Sequence, residues 1–342
     1  MRLTWQTGTL RLREPFRISR SVMHERDAVW IELDHDGSTG HGEAVTSVYY
    51  DLDVPEIVAQ LDGVRPLVAE AVDPGALVTA VRHWPGLAPG VRCALDAAAH
   101  DLTARQRGIT VRALLDLPPT GELPTARTIG ITGTEHAVRT ARELVGSGFT
   151  VLKVKLGDGP EERARVAAIR EAAPDVELLL DPNGAWAPEQ ALRNLDALAP
   201  LGISAVEQPV APGSPAELGR IARLSPIPVI ADEDAQTVAD VRALGSSVHG
   251  VNVKLAKCGG IGAALEIVEA ARSAGMDVML GCLVASSLGI APAVHLAGCA
   301  RWIDLDGHLL LAEDPWDGIG GTGGALRLSG EPGLGVRPRG SP

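Results

Sequence analysis

The chain has 342 residues, 45% of them apolar and only 3% aromatic, so it can bury a large core and must build it from aliphatic side chains. Its 31 Lys and Arg against 43 Asp and Glu leave a net charge of -12 with no basic run or stripe, which excludes an extended nucleic-acid surface. Cys93, Cys258, Cys282 and Cys299 show no Cys-x-x-Cys spacing, the first residues carry no apolar signal core, and the most apolar stretch, 283–299, is broken by Ser286, Ser287, Pro292 and His295; a soluble protein of a reducing, cytoplasmic compartment is expected, with no membrane partner.

Residues 2–13 and 27–36 alternate as antiparallel strands, and Asp36-Gly37 marks a turn before 40–44. Helical periodicity covers 54–71 and 90–106. Strands followed by helices predict a small α+β domain over residues 1–120. From 121 to 317 the pattern changes. Short β-rich runs at 125–132, 149–156, 176–181, 203–209, 227–232, 250–255, 277–283 and 302–306 alternate with amphipathic stretches such as 135–145, 161–172 and 263–274. Eight such runs predict a closed (β/α)8 barrel, a TIM barrel. The Gly- and Pro-rich end, 318–342, lies outside the repeat and is expected to pack back on the first domain or to fray.

Buried strands should be apolar, yet these carry charge late in the run. Lys153 and Lys155 lie on the second, Asp181 on the third, Glu207 on the fourth, Asp232 on the fifth, Lys254 on the sixth, and Asp304 and Asp306 on the eighth. Each alone could be a structural ion pair. Together they mark the C-terminal mouth of the barrel, where such folds place their sites. Asp181, Glu207 and Asp232 fall on three consecutive strands, about 4.8 Å apart, so their oxygens can converge on one hard cation such as Mg²⁺. Glu233 should point the other way and support the site from behind. Lys153 and Lys155 share one face of their strand, and Lys254 stands four strands from Lys155, directly across the ring. Two opposed lysines with a cation between them can address both faces of one carbon, as a racemase or epimerase requires. Lys153 adds positive charge for an enediolate oxygen.

These residues also carry a family resemblance. Lys153-Val154-Lys155, Asp181-Pro182-Asn183, Val206-Glu207-Gln208-Pro209, Ala231-Asp232-Glu233-Asp234 and Asn252-Val253-Lys254-Leu255 resemble, in order and spacing, the enolase superfamily in its muconate-lactonizing subgroup. The resemblance implies one Mg²⁺ per subunit on Asp181, Glu207 and Asp232, an acid/base pair of Lys155 and Lys254, and Lys153 beside the enolate. It also implies that the first third is a capping domain completed by the C-terminal segment, with Asn183 and Glu233 flanking the metal ligands. Met279-Leu280-Gly281-Cys282-Leu283 lacks the histidine of mandelate-racemase-like members.

The segment Ile303-Asp304-Leu305-Asp306-Gly307 resembles the Asp-x-Asp motif of dipeptide epimerases, where paired carboxylates receive the free α-ammonium of a dipeptide. Leu283 and Ala285 replace the Met and Glu common in the family, and Val48-Tyr49-Tyr50-Asp51 replaces the Arg-Tyr-Gly-Glu stretch of alanine–glutamate epimerases. Asp51 and Asp53 would instead suit a cationic or polar substrate side chain. Arg20 and Tyr50 are expected at the substrate. The leading expectation is an isomerase that epimerises a dipeptide at its C-terminal residue. The alternatives are an o-succinylbenzoate synthase, an N-acylamino acid racemase or a muconate-type cycloisomerase. The sequence names neither the dipeptide nor the oligomeric state, although barrels of this kind often associate.

Overall fold

The computed structural model of the chain describes residues 1–340, apart from the Tyr49 side chain; the last two positions of the expected C-terminal segment lie outside the described residues. Among the described residues no helix is long and apolar enough to cross a membrane.

Strands β1 (Arg2–Ile18) and β2 (Ser21–His35) form one long antiparallel hairpin, and β3 (Ser38–Val45) returns beside β2. The hairpin outruns the alternating pattern at 2–13 and 27–36 because pairing resumes past a bulge, from Phe16 opposite Met23 to Ile18 opposite Ser21. One sheet face sends Leu3, Val29, Ile31 and Leu33 against α1 (Val54–Glu70), α2 (Pro74–His83) and α3 (Pro89–Gln106). Helix α2 was not apparent from periodicity. It is short, and it is set by its cap: Ala76 N donates to Asp73 Oδ1 at 2.8 Å, with Pro74 at the first helical position. Strand β3 lies so close to α3 that a Cβ on Gly42 would come within 2.0 Å of the Ala94 carbonyl oxygen, so only glycine fits there.

The eight barrel strands are Ala126–Ile129, Val151–Lys155, Glu177–Asp181, Ile203–Glu207, Val229–Ala231, Gly250–Val253, Asp277–Gly281 and Trp302–Asp304. They pair in parallel in chain order. Ala126, Leu179, Ala205, Ile230, Met279 and Trp302 fill the interior as an apolar floor. The residues between them, such as Leu152, Val154, Leu178 and Leu180, pack outward on the helices. Three charged residues expected on strands stand just beyond them. Asp232 follows Ala231, Lys254 opens the turn Leu255–Cys258, and Asp306 precedes the turn Gly307–Leu310. The ladders stop there because the backbone is already bending into its loop.

Side chains close the seam between the eighth and first strands. Thr128 N donates to Asp306 Oδ2 at 2.7 Å, Arg127 Nη1 donates to the same oxygen at 3.0 Å, and Leu305 N donates to Thr125 Oγ1 at 3.0 Å. The C-terminal segment packs on both units. Leu334 N donates to the buried Asp101 Oδ1 on α3 at 2.7 Å, and Ala325–Leu326 pairs with Leu123–Pro124 at the barrel entrance.

Glu43 of β3 joins the first domain to the loop after the seventh strand. It accepts hydrogen bonds from Ser286 N at 2.8 Å, Ser286 Oγ and Trp30 Nε1 at 2.7 Å. Burial outweighs these bonds and pushes its carboxyl up from 4.5 to about 7. The folded state therefore holds this proton more tightly than the unfolded chain, and stability falls as pH rises from about 4.5 to about 7. Urea unfolding at pH 5 and pH 8 checks this: the wild type should lose up to about 3 kcal/mol more over that interval than Glu43→Gln.

Candidate active site

Above the apolar floor, charged side chains from six strands meet in one buried layer. Lys153 is 1% exposed. Its Nζ lies 2.7 Å from Asp304 Oδ2 and 3.1 Å from Asp181 Oδ2, and it also bonds Glu207 Oε2. Lys155 Nζ donates to Asp181 Oδ2 at 2.5 Å. Lys254 Nζ lies 2.8 Å from Asp232 Oδ2 and 3.4 Å from Glu207 Oε1. The third, fourth and fifth strands thus present their carboxylates side by side, and single ammonium groups bridge neighbouring pairs.

Electrostatics follow from this interleaving. Burial alone would push the Lys153 and Lys254 ammoniums down, but the surrounding carboxylates overrule it and hold both well above the ordinary lysine range. Burial would likewise raise the Asp181 and Asp232 carboxyls, yet the lysines beside them pull both down. Glu207 moves the other way. Its burial and the nearby Asp181 charge outweigh Lys153 and Lys254, so its carboxyl is raised.

The carboxylates are themselves oriented. Asn183, at φ 50°, turns its backbone N back to Asp181 Oδ1 at 2.8 Å. Asn252 Nδ2 donates to Glu207 Oε1 at 2.8 Å. Buried Gln208 accepts from Asp232 N at 3.0 Å and donates to Asp234 Oδ2 at 2.8 Å, tying the loop after the fifth strand to the fourth. Asn252 and Gln208 lay within the quoted sequence motifs without an assigned role. Alternation could have placed Asn252, since it stands two residues before Lys254 and so on the same face. Lys257 was missed. Its Nζ donates to the Asp232 carbonyl oxygen at 2.8 Å and also to Asp232 Oδ1.

The donor set suits a hard divalent cation: oxygens only, on adjacent strands, with ammonium groups standing between them as positive charges. Among the described residues no three His, Cys, Asp or Glu side chains already close on one ion-sized position. The lysines and a cation would therefore share the same oxygens.

The remaining expected residues divide between the charged layer, the barrel seam and the first domain. Asp304 gives Oδ2 to Lys153, while its buried Oδ1 has no partner among the described residues. Asp306 spends its carboxylate on the barrel seam. Glu233 pairs with Arg20 at the tip of the β1–β2 hairpin, and its burial raises its carboxyl to about 7. That hairpin also accepts Ile131 N on the Arg17 carbonyl at 2.9 Å. It thus touches the rim after the first strand and after the fifth, which face each other across the ring. Tyr50 lies in the turn Val48–Tyr50, half-buried against the first domain's core.

Removing Lys153 would take the ammonium from Asp304 Oδ2 and one of two flanking cations from each of Asp181 and Glu207, leaving three crowded carboxylates short of positive charge. Lys153→Met should cost about 3–5 kcal/mol of stability at pH 8 and less at pH 5, where protonation relieves the repulsion. Thermal unfolding at the two pH values reads this; an equal loss at both would contradict it.

Comparison with known proteins agrees with this architecture. Residues 3–116 match the mandelate racemase / muconate lactonizing enzyme N-terminal domain, and residues 136–341 match the enolase C-terminal domain-like model. An L-Ala-D/L-amino acid epimerase of Flavobacterium johnsoniae is 32% identical over 98% of this chain and 99% of its own length. The dipeptide epimerase of Methylococcus capsulatus, solved with Mg and L-Arg-D-Lys, superposes with a TM-score of 0.90 at 32% identity, covering 98% of both chains. That of Enterococcus faecalis, solved with Mg and L-Leu-L-Tyr, gives 0.91 at 29% identity, again over 98% of both. The chain therefore belongs to the enolase superfamily, in its mandelate racemase / muconate lactonizing family, and is similar over nearly its whole length to dipeptide epimerases.

Proposed function

We propose that the chain is a Mg²⁺-dependent dipeptide epimerase that removes and returns the α-proton of the substrate's C-terminal residue. The observation that carries this reading is the placement of Lys155 and Lys254 on opposite walls of one buried layer, with Asp181, Glu207 and Asp232 between them. Mg²⁺ held by those three carboxylates would supply the positive charge that makes an α-proton next to a carboxylate acidic enough to move. The chain's own groups do the rest. With the cation on the carboxylate oxygens that otherwise pair with these lysines, one of Lys155 and Lys254, as the neutral amine, would take the proton from one face of the α-carbon. The other, as the ammonium, returns a proton to the opposite face, which inverts the centre. Running the pair in reverse converts the other stereoisomer. Lys153, held charged by its carboxylates, remains a fixed cation beside the developing enediolate.

The free Asp304 Oδ1 suits the substrate's α-ammonium, since a buried carboxylate oxygen without a donor invites a charged one. Asp306, engaged at the seam, backs that wall and holds the loop that follows Asp304. Arg20 and Tyr50 approach from the first domain, where they would meet the substrate's side chains.

Three experiments test the reading. In D₂O with Mg²⁺, a dipeptide library should gain mass at the α-carbon; no exchange in any dipeptide, with turnover of a cyclohexadiene carboxylate or racemisation of an N-acylamino acid instead, would replace it. Lys155→Ala and Lys254→Ala should each abolish epimerisation yet block exchange from only one stereoisomer, and survival of epimerisation in either would end the two-lysine mechanism. Asp304→Asn should raise KM for dipeptides about 10-fold or more while leaving Mg²⁺ affinity within a factor of about 2. Equal losses in both would move Asp304 out of the substrate site.

A further inference from the structure

Lys257 is a buried charge that the proton-transfer scheme does not use. It is 4% exposed, on the single helical turn Leu255–Cys258 that follows Lys254. Three residues along one turn bring it to the same side as Lys254. Its ammonium grips Asp232 twice, at the main-chain oxygen (2.8 Å) and at Oδ1. A salt bridge needs only the carboxylate. Holding the backbone carbonyl and the side-chain oxygen of one residue fixes the direction in which that carboxylate points. Oδ2 is left facing the layer, where Lys254 meets it at 2.8 Å.

The turn bearing Lys257 is in turn held by the first domain. Gly259 and Gly260, at φ 99° and 118°, reverse the chain after it. Ile261 N, at the start of the next helix, donates to Asp96 Oδ2 on α3 at 2.7 Å. A Cβ on Gly260 would lie 2.6 Å from the Asp96 carboxyl carbon, so the two elements are in direct contact. His100, one turn on along α3, sits with Nδ1 3.4 Å from Asp96 Oδ2. The capping domain thus supplies a cap to a barrel helix, and through that helix's entry turn it sets the position of Lys257.

We propose that Lys257 is a positioning residue that aims the Asp232 carboxylate at the bound cation, and that Asp96 holds Lys257 in place from across the domain boundary. The inference rests on the reading of Asp181, Glu207 and Asp232 as cation ligands. Groups that orient a metal ligand typically change metal affinity by about 10–100-fold when removed.

The probe is Mn²⁺, whose binding to the full chain is read by electron paramagnetic resonance without substrate or turnover. Lys257→Met should weaken Mn²⁺ by about 10–100-fold, and at saturating metal the dipeptide KM should stay within a factor of about 2 of the wild type. Mn²⁺ affinity equal to the wild type overturns the role of Lys257. Because Lys257→Met strips the buried Asp232 Oδ1 of its ammonium and so burdens folding itself, the Asp96 pair gives a second reading. Asp96→Ala should weaken Mn²⁺, and Asp96→Asn, which keeps an acceptor for Ile261 N, should restore it; equal affinity in both overturns the link to the first domain. A wild type that binds no Mn²⁺ overturns the cation site itself, and this inference with it.

Discussion

Charge neutrality inside the barrel is the constraint on which the rest of the structure depends. Asp181, Glu207, Asp232 and Asp304 are buried in one layer, and isolated carboxylates there would cost several kcal/mol each. Lys153, Lys155, Lys254 and Lys257 are buried among them, one ammonium for each carboxylate. Neither set can be kept without the other. This is why the lysines enter from the second and sixth strands while the acids come from the strands between them and from the eighth. The proton transfer proposed for this site would need both signs close together, and the fold supplies them by the same pairing that makes the layer stable enough to exist.

The layer also needs a dry base and an ordered rim. Ala126, Leu179, Ala205, Ile230, Met279 and Trp302 exclude water from below, which strengthens every interaction above them. From the other side the first domain contributes buried polar contacts. Glu43 reaches the loop after the seventh strand and Asp96 the helix after the sixth, while Asp101 binds the C-terminal segment. The two units are therefore joined by buried hydrogen bonds, one of them at the helix that follows the Lys254–Lys257 turn.

Much of this was legible in the sequence because strand alternation and family motifs speak to the same residues. Charges at the ends of apolar runs located Lys153, Lys155, Asp181 and Glu207 on their strands. Asp232, Lys254 and Asp306 fell one or two residues past the ladder; alternation still carries to Lys254, which remains extended, whereas loop geometry decides for Asp306. Asp306 shows the consequence: spacing suggested a partner for Asp304, whereas its carboxylate bonds the backbone of Thr128 and the Arg127 side chain, 178 and 179 residues away in sequence. Contacts over such distances are set by barrel closure, which no local pattern encodes. Lys257 escaped for a related reason. Its partner Asp232 lies on a different strand's loop, and only the tertiary fold brings them together. Helix α2 was missed because ten residues with two caps leave too short a periodic signal.

The long hairpin also has a mechanical side. The roots of β1 and β2 are core, with Leu3, Val29, Ile31 and Leu33 packed under α1–α3, while its tip, from Phe16 to Met23, spans the mouth between opposite walls. One continuous element is therefore anchored at both ends, by apolar packing at the root and by polar contacts at the tip, and acts as a beam that ties the first domain's core to the rim of the barrel.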